Sequence, residues 1–178
     1  MTDCANISMD SLSVLGTVVL ALTAIIALHR ESKANRMALG VDALLKLQEQ
    51  FDGTRMIEAR KKAATALRDR AASNDPDDVL DFFESIALLT RKRVLDEEFV
   101  WHTFYHWLHG YCWAARDYII QKQQERYEVW RDLCWLHPRL VLLENKRQGR
   151  RKSDPDPLTE QELEQFFRDE VGVIGAKS

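Results

Sequence analysis

Residues 79–89 read VLDFFESIALL, and this stretch decides the fold. Its apolar residues fall on almost every side of a helix, whereas a helix at a protein surface is apolar along one stripe only. The stretch therefore predicts a buried central helix over about residues 76–91, with the other helices of a bundle packed around it.

Helical periodicity continues on both sides of this centre. We predict further helices up to about residue 51 and over about residues 54–72, 96–126, 127–137, 138–147 and 158–170. Pro138 is expected to stop or bend the fifth helix of the bundle. Thr159 and Glu162 form a capping box for the last helix, whose Phe166 and Phe167 give it an apolar edge that can dock on the bundle. Strand-like alternation is absent from the sequence, so the predicted fold class is all-α.

An uncharged run of seventeen residues, 12–28, precedes the bundle. As a helix it covers roughly 26 Å of a hydrocarbon core about 30 Å thick. Arg30, Lys33 and Arg36 follow at once, and cationic flanks stay in the cytoplasm. The run predicts a single transmembrane helix with the N-terminus outside the bacterial inner membrane. A cleaved signal peptide and a buried helix of a soluble protein are the alternatives.

The predicted organisation has five parts. Residues 1–11 form a short extracytoplasmic N-terminus, 12–29 the transmembrane helix, and 30–147 a cytoplasmic helical bundle. Residues 148–157 form a linker, and 158–178 a short helix and tail. Ser13, Thr17 and Ala21 recur at four-residue spacing, which favours close approach of two spanning helices, although small residues are common in such helices anyway.

Charge is distributed in alternating blocks. The net charge is −3, but residues 30–72 carry +4 and residues 153–178 carry −5. Such blocks suit pairing within the chain or with a partner better than one large basic face does, and nucleic acid is not expected as a partner.

Several motifs occur in a fixed order: Phe82-Phe83-Glu84 in the central helix, Leu95-Asp-Glu-Glu-x-Val-Trp101-x-x-Phe104, Tyr111-x-Trp113, and a segment from Tyr127 to Leu133. Over about residues 12–137 this pattern resembles a family of small bacterial membrane-anchored proteins classed as a domain of unknown function. It is also distantly similar to membrane proteins of abortive infection against phage. The resemblance implies an all-helical domain and transfers no activity.

Two sets of polar residues are candidates for chemistry. Glu84 lies in an apolar helix, so its carboxylate must be paired or neutral. We expect an ion pair with an arginine of the second helix or with Arg116; the alternative is a site carboxylate with a raised pKa. A polar face carries the histidines His102, His106 and His109. They are weak candidates for a metal site, since no acidic residue completes a zinc motif.

Aromatic and basic residues complete the candidates. Phe83, Tyr111 and Trp113 belong to an aromatic-rich centre, which is either core or a groove for a peptide or ligand. A basic cluster follows the bundle and is either a solvated linker or a surface for anionic lipid headgroups. Its members are Lys146, Arg147, Arg150, Arg151 and Lys152.

The sequence contains no catalytic signature and predicts no cofactor. Its leading interpretation is a membrane-tethered interaction or regulatory module without catalytic activity of its own. The first alternative is a membrane-acting phage-defence effector that oligomerises through its transmembrane helix. The second is a hydrolytic enzyme that uses the histidine face. Expected partners are the membrane, other membrane or cytoplasmic proteins, and further copies of the chain.

Overall fold

A computed structural model describes residues 27–28, 30–31, 35, 37–150 and 157–172. The chain divides into two compact units, Met1–Leu39 and Gly40–Ser178. In the first unit, the described residues are helical and exposed. The described residues contain seven helices: α1 over 37–52, α2 Thr54–Arg68, α3 Asp77–Arg91, α4 Glu97–Ala114, α5 Arg116–Glu125, α6 Arg131–Arg147 and α7 Glu160–Gly172. The second unit is the predicted all-α bundle.

Helix α3 is the centre of this bundle, as its sequence predicts. It packs against α2, α4 and α6. Side chains on several of its sides are fully buried: Val79, Leu80, Phe83, Ile86 and Ala87. At one end of the core, the ring of Phe51 from α1 stacks on Phe82 at 5.4 Å and meets Phe104 edge-on at 5.6 Å. These contacts tie α1, α3 and α4 together.

A glycine brings α1 close to the turn between α3 and α4. An added Cβ at Gly40 would lie 2.6 Å from the carbonyl oxygen of Val94. Backbone atoms cannot move aside as a flexible side chain can, so the contact requires a residue without a Cβ.

The second half of the bundle corrects two predicted boundaries. The expected long helix over 96–126 is divided at Ala115 into α4 and α5, although the helical hydrogen bonds Ala115 N to Tyr111 O and Ile119 N to Ala115 O persist across the break. Helix α6 continues through Pro138 to Arg147 and does not form two helices. Leu136 and Leu140, on either side of the proline, are both fully buried, and this packing offsets the missing N–H.

Helix α7 begins with the predicted capping box. The Thr159 N–H donates to Glu162 Oε2 at 2.8 Å, and the Glu162 N–H donates to Thr159 Oγ1 at 3.3 Å. Phe166 and Phe167 are buried, so the predicted docking edge is confirmed. The helix packs on α2 and α4 and closes that side of the bundle.

The predicted membrane location is corrected by the structure. No helix among the described residues is both long enough and apolar enough to cross a membrane. Helix α3, the buried centre, has only fifteen residues and carries Asp81 and Glu84 within them, whereas a span needs about 20 mostly apolar residues. Of the predicted span 12–29, only Ala27 and Leu28 belong to the described residues. The single-pass topology and inner-membrane location are therefore withdrawn.

Candidate functional site

A buried ion pair joins α2 to α7. Arg60 is 5% exposed and Glu170 is 3% exposed. The guanidinium donates from Nε to Glu170 Oε2 at 2.8 Å and from its terminal Nη2 to Glu170 Oε1 at 2.5 Å. Burial alone would lower the pKa of Arg60, but the hydrogen bonds and negative charge of Glu170 outweigh it and raise that pKa. The guanidinium therefore stays charged, and the pair has the planar two-bond geometry that arginine forms with carboxylates.

Tyr111 on α4 completes this arrangement. Its hydroxyl donates to Glu170 Oε2 at 2.6 Å and also lies 3.0 Å from the backbone carbonyl oxygen of Arg60. Burial, followed by the nearby charge of Glu170, raises the pKa of Tyr111 far above its usual value. The phenol therefore stays protonated and remains a donor to the carboxylate. Three helices meet at one fully hydrogen-bonded cluster.

Aromatic rings enclose the cluster. The Arg60 guanidinium carbon lies 4.1 Å from the ring centre of Phe51 and 5.5 Å from that of Trp107. Phe166 meets the Tyr111 ring edge-on at 5.1 Å. A guanidinium on aromatic faces gains cation–π attraction, which is strongest where water is excluded.

A glycine on α4 makes room for the docked helix. An added Cβ at Gly110 would lie 2.3 Å from Cε2 of Phe166, well inside van der Waals contact. The missing side chain forms a notch on α4, and the Phe166 ring occupies it. We call the surface formed by Arg60, Gly110 and Tyr111, with the rings of Phe51 and Trp107, the α2/α4 groove.

The groove and its occupant are also complementary in charge. Helix α2 carries five basic side chains and one acidic one, whereas α7 carries five acidic side chains and one basic one. Arg60 is the basic side chain of α2 that lies buried against this acidic helix. The sequence predicted pairing of the charge blocks within the chain or with a partner, and the Arg60–Glu170 ion pair joins two of these blocks.

A second polar cluster lies between α4 and α6. His109 Nδ1 and His137 Nε2 are 2.9 Å apart, and the His109 ring stacks on Tyr105. Burial lowers the pKa of His109 to about 4, with an opposing effect of Glu162 and a small lowering by His106. Burial and His109 lower the pKa of His137 to about 3. Both imidazoles are therefore neutral near pH 7.

The histidine face is not assembled as a metal site. His102 and His106 are exposed, whereas His109 is half-buried and turned to His137. Within the described ranges, no group of three or more His, Cys, Asp or Glu side chains is placed to hold a metal ion. The spacing of the three histidines gave no sign of the His109–His137 contact, because His137 is on another helix.

Glu84 is paired with backbone amides and not with an arginine. Its carboxylate accepts from the N–H of Asp132 at 3.1 Å and of Leu133 at 2.6 Å, the first turn of α6. Burial raises its pKa despite these two bonds. The expected partner Arg116 is exposed and lies over the ring of Trp113 at 5.5 Å.

The other candidate residues are placed as follows. Phe83 and Tyr111 are fully buried in the core. Trp113 is half-buried, and its indole N–H has no hydrogen-bond partner within the described residues. Arg147 lies over the Trp101 ring at 4.1 Å, while Arg30, Lys146 and Arg150 are exposed. The remaining candidates lie outside the described residues: Ser13, Thr17, Ala21, Lys33, Arg36, Arg151 and Lys152.

Fold and site together define a small all-helical domain that holds an amphipathic helix in a groove. The chain belongs to the family described as a domain of unknown function, DUF4760, which matches residues 11–140. The predicted resemblance to an uncharacterised family is thereby confirmed, whereas the similarity to abortive-infection proteins is not shown. No curated protein and no solved structure matches the chain. Helix α7, which supplies Glu170, lies beyond the matched residues.

Proposed function

We propose that this protein is a non-enzymatic interaction module whose α2/α4 groove binds an amphipathic helix. Helix α7 is the ligand carried on the same chain. The observation that carries the proposal is the Arg60–Glu170 pair, buried between the family domain and a helix outside the matched residues. Binding of a helix in a groove through anchors three and four residues apart is a recurrent mode of recognition.

Energetics favour a recognition role for this pair. Replacing a buried ion pair by apolar side chains is often neutral or stabilising, so such pairs add little to net stability. They do discriminate strongly, because a ligand that lacks the carboxylate leaves the arginine buried and unpaired. Leu163, Phe166 and Phe167 supply apolar contact, and Glu170 adds a requirement for one charge at one position.

The test begins from the full chain, with a protease site placed in residues 151–156. After the folded protein is cut there, we expect the α7 fragment to co-elute with the bundle in size-exclusion chromatography. We also expect it to exchange with a labelled peptide of residues 157–173, as followed by fluorescence anisotropy. This exchange would show that the groove binds a helix reversibly.

A matched pair of variants isolates the buried carboxylate. Glu170→Gln should weaken retention and peptide binding at least tenfold, since truncating a charged partner of a buried pair costs about 2–5 kcal/mol. Glu160→Gln makes the same change at an exposed position at the start of α7 and should have little effect. If α7 is released from the wild-type protein at once, or never exchanges before the bundle unfolds, the proposal is wrong.

A further inference from the structure

We propose that the partner of the α2/α4 groove is an acidic amphipathic helix of another protein that carries Phe-Phe-x-x-Glu and a bulky side chain three residues before the first Phe. This inference rests on the proposed function and names the ligand that displaces α7. Two features of the groove, its notch and its buried arginine, and an unfilled cleft beside the docked helix determine this ligand.

The register of the motif follows from what α7 buries. Phe166, Phe167 and Glu170 are the buried residues of α7, each no more than 5% exposed. The notch at Gly110 has room for the first ring. Arg60 and Tyr111 donate hydrogen bonds to the carboxylate four residues later. Positions i and i+4 lie on one face of a helix, so a single helix satisfies both requirements.

Charge complementarity narrows the partner further. The basic outer face of α2 includes Arg55, Lys61, Lys62 and Arg68, on the helix that α7 contacts. An acidic helix is attracted to this face before it docks, which raises the association rate and makes it sensitive to salt. A basic or neutral helix with the same two Phe and one Glu would lose this electrostatic contribution to the association rate.

Helix α7 leaves part of the binding surface unfilled. A cleft of about 780 Å³ is lined by Leu163 and Phe167 of α7 together with Trp113 and Tyr118 and residues at the end of α2. Leu163 occupies the helix position that faces this cleft, and a larger aromatic side chain there would bury more apolar surface. The native occupant is therefore not the best possible ligand.

Because α7 is covalently connected to the bundle, a competing helix must bind the groove more tightly than α7 does. Residues 148–159 connect α6 to α7. A short linker of this kind holds α7 at an effective concentration of roughly millimolar near the groove. A partner helix present at micromolar concentration must therefore bind about a thousandfold more tightly than α7 does without its tether. Additional contacts in the cleft supply part of this advantage, about tenfold for one larger side chain.

Three synthetic peptides test the inference on the intact protein and on the linker-cut protein. One is residues 157–173, the second is the same peptide with Leu163→Trp, and the third carries only Phe166, Phe167 and Glu170 on an alanine–glutamate helix. In the linker-cut protein, we expect the third peptide to bind and the second to bind about tenfold more tightly than the first, since about 50 Å² of additional apolar burial is worth that factor. In the intact protein, the second should displace α7 at the lowest concentration.

The outcomes separate this inference from the proposed function. If residues 157–173 bind the linker-cut protein but Leu163→Trp brings no gain or the three-anchor peptide fails, the partner assignment is overturned and the helix-binding function stands. If no peptide binds, the proposed function fails as well. A dimer of the intact protein that Glu170→Gln dissolves would assign the groove to α7 of a second copy and overturn the assignment to another protein.

Discussion

His109 Nδ1 and His137 Nε2 are joined by one hydrogen bond of 2.9 Å, which links α4 to α6 inside the bundle. Two imidazoles at this distance share a single proton between them, and a second proton would place two N–H groups face to face. Burial keeps both rings neutral, with the pKa of His109 near 4 and that of His137 near 3.

This pair predicts a loss of stability in mild acid. Because both folded-state pKa values lie below the ordinary value of about 6.5, the unfolded chain takes up more protons between about pH 6.5 and pH 4. The contribution of the two histidines to the free energy of unfolding should therefore be complete above pH 6.5. It should fall as the pH drops, by up to about 1.4 kcal/mol per pH unit for each histidine. Urea denaturation at pH 7, 6, 5 and 4 measures this slope.

The variant His137→Gln should have a slope lower by about 1 kcal/mol per pH unit, since one titrating group with a lowered pKa is gone. His102→Gln, at an exposed position, serves as the control and should keep the wild-type slope. Glu84, whose pKa is raised in the folded state, contributes a pH slope of the opposite sign. This contribution is present in both proteins and cancels when the two slopes are compared. Equal slopes for His137→Gln and the wild type would refute the assignment.

Gly110→Ala should destabilise the protein although alanine is the better helix former. In an open helix position the change stabilises by about 0.5–1 kcal/mol, whereas a methyl group at Gly110 collides with the Phe166 ring. Overpacking of this kind costs about 1–3 kcal/mol, measured by thermal or urea unfolding. In the Phe166→Ala background, the same change should become neutral or stabilising. A favourable Gly110→Ala in the wild type would mean that Phe166 does not occupy the notch.

Arg60→Met should lower the free energy of unfolding by about 3 kcal/mol, because Glu170 keeps a buried charge without its counter-ion. The double variant Arg60→Met with Glu170→Leu should regain most of that loss, as apolar replacement of a whole buried pair often does. Strict additivity of the two single changes would show that the side chains do not interact in the folded protein.

Glu84→Ala should destabilise the start of α6. The carboxylate satisfies the N–H groups of Asp132 and Leu133, which have no acceptor within their own helix, and it lies at the positive end of the helix dipole. We expect a loss of about 1–3 kcal/mol in chemical denaturation. Ser85→Ala, its exposed neighbour on α3, should change the stability by less than about 0.5 kcal/mol.

Local pattern predicted the bundle well and its long-range pairs poorly. The apolar circumference of α3 and the Thr159–Glu162 box are properties of a few neighbouring residues, so the sequence alone revealed them. Arg60 looked like one more cation on the basic face of its helix. Its partner Glu170 is 110 residues away, and no spacing rule connects the two.

Glu84 and Pro138 illustrate the same limit. A carboxylate in an apolar helix needs a partner, and that requirement was read correctly. The choice of partner was wrong, because free amides at the start of α6 were nearer than any arginine. The proline was expected to stop or bend a helix on local grounds; it does not stop α6, in which Leu136 and Leu140 on both sides of it are buried.

The family boundary at residue 140 falls inside α6, thirty residues before Glu170. A truncated fragment ending there would lose the last turns of one helix together with the whole cover of the α2/α4 groove. Tyr111 and Arg60, which Phe166 and Glu170 of α7 contact, would then be exposed to water as an aromatic and cationic patch. Fragments of this chain should therefore end beyond the covering helix and not at the limit of the family match.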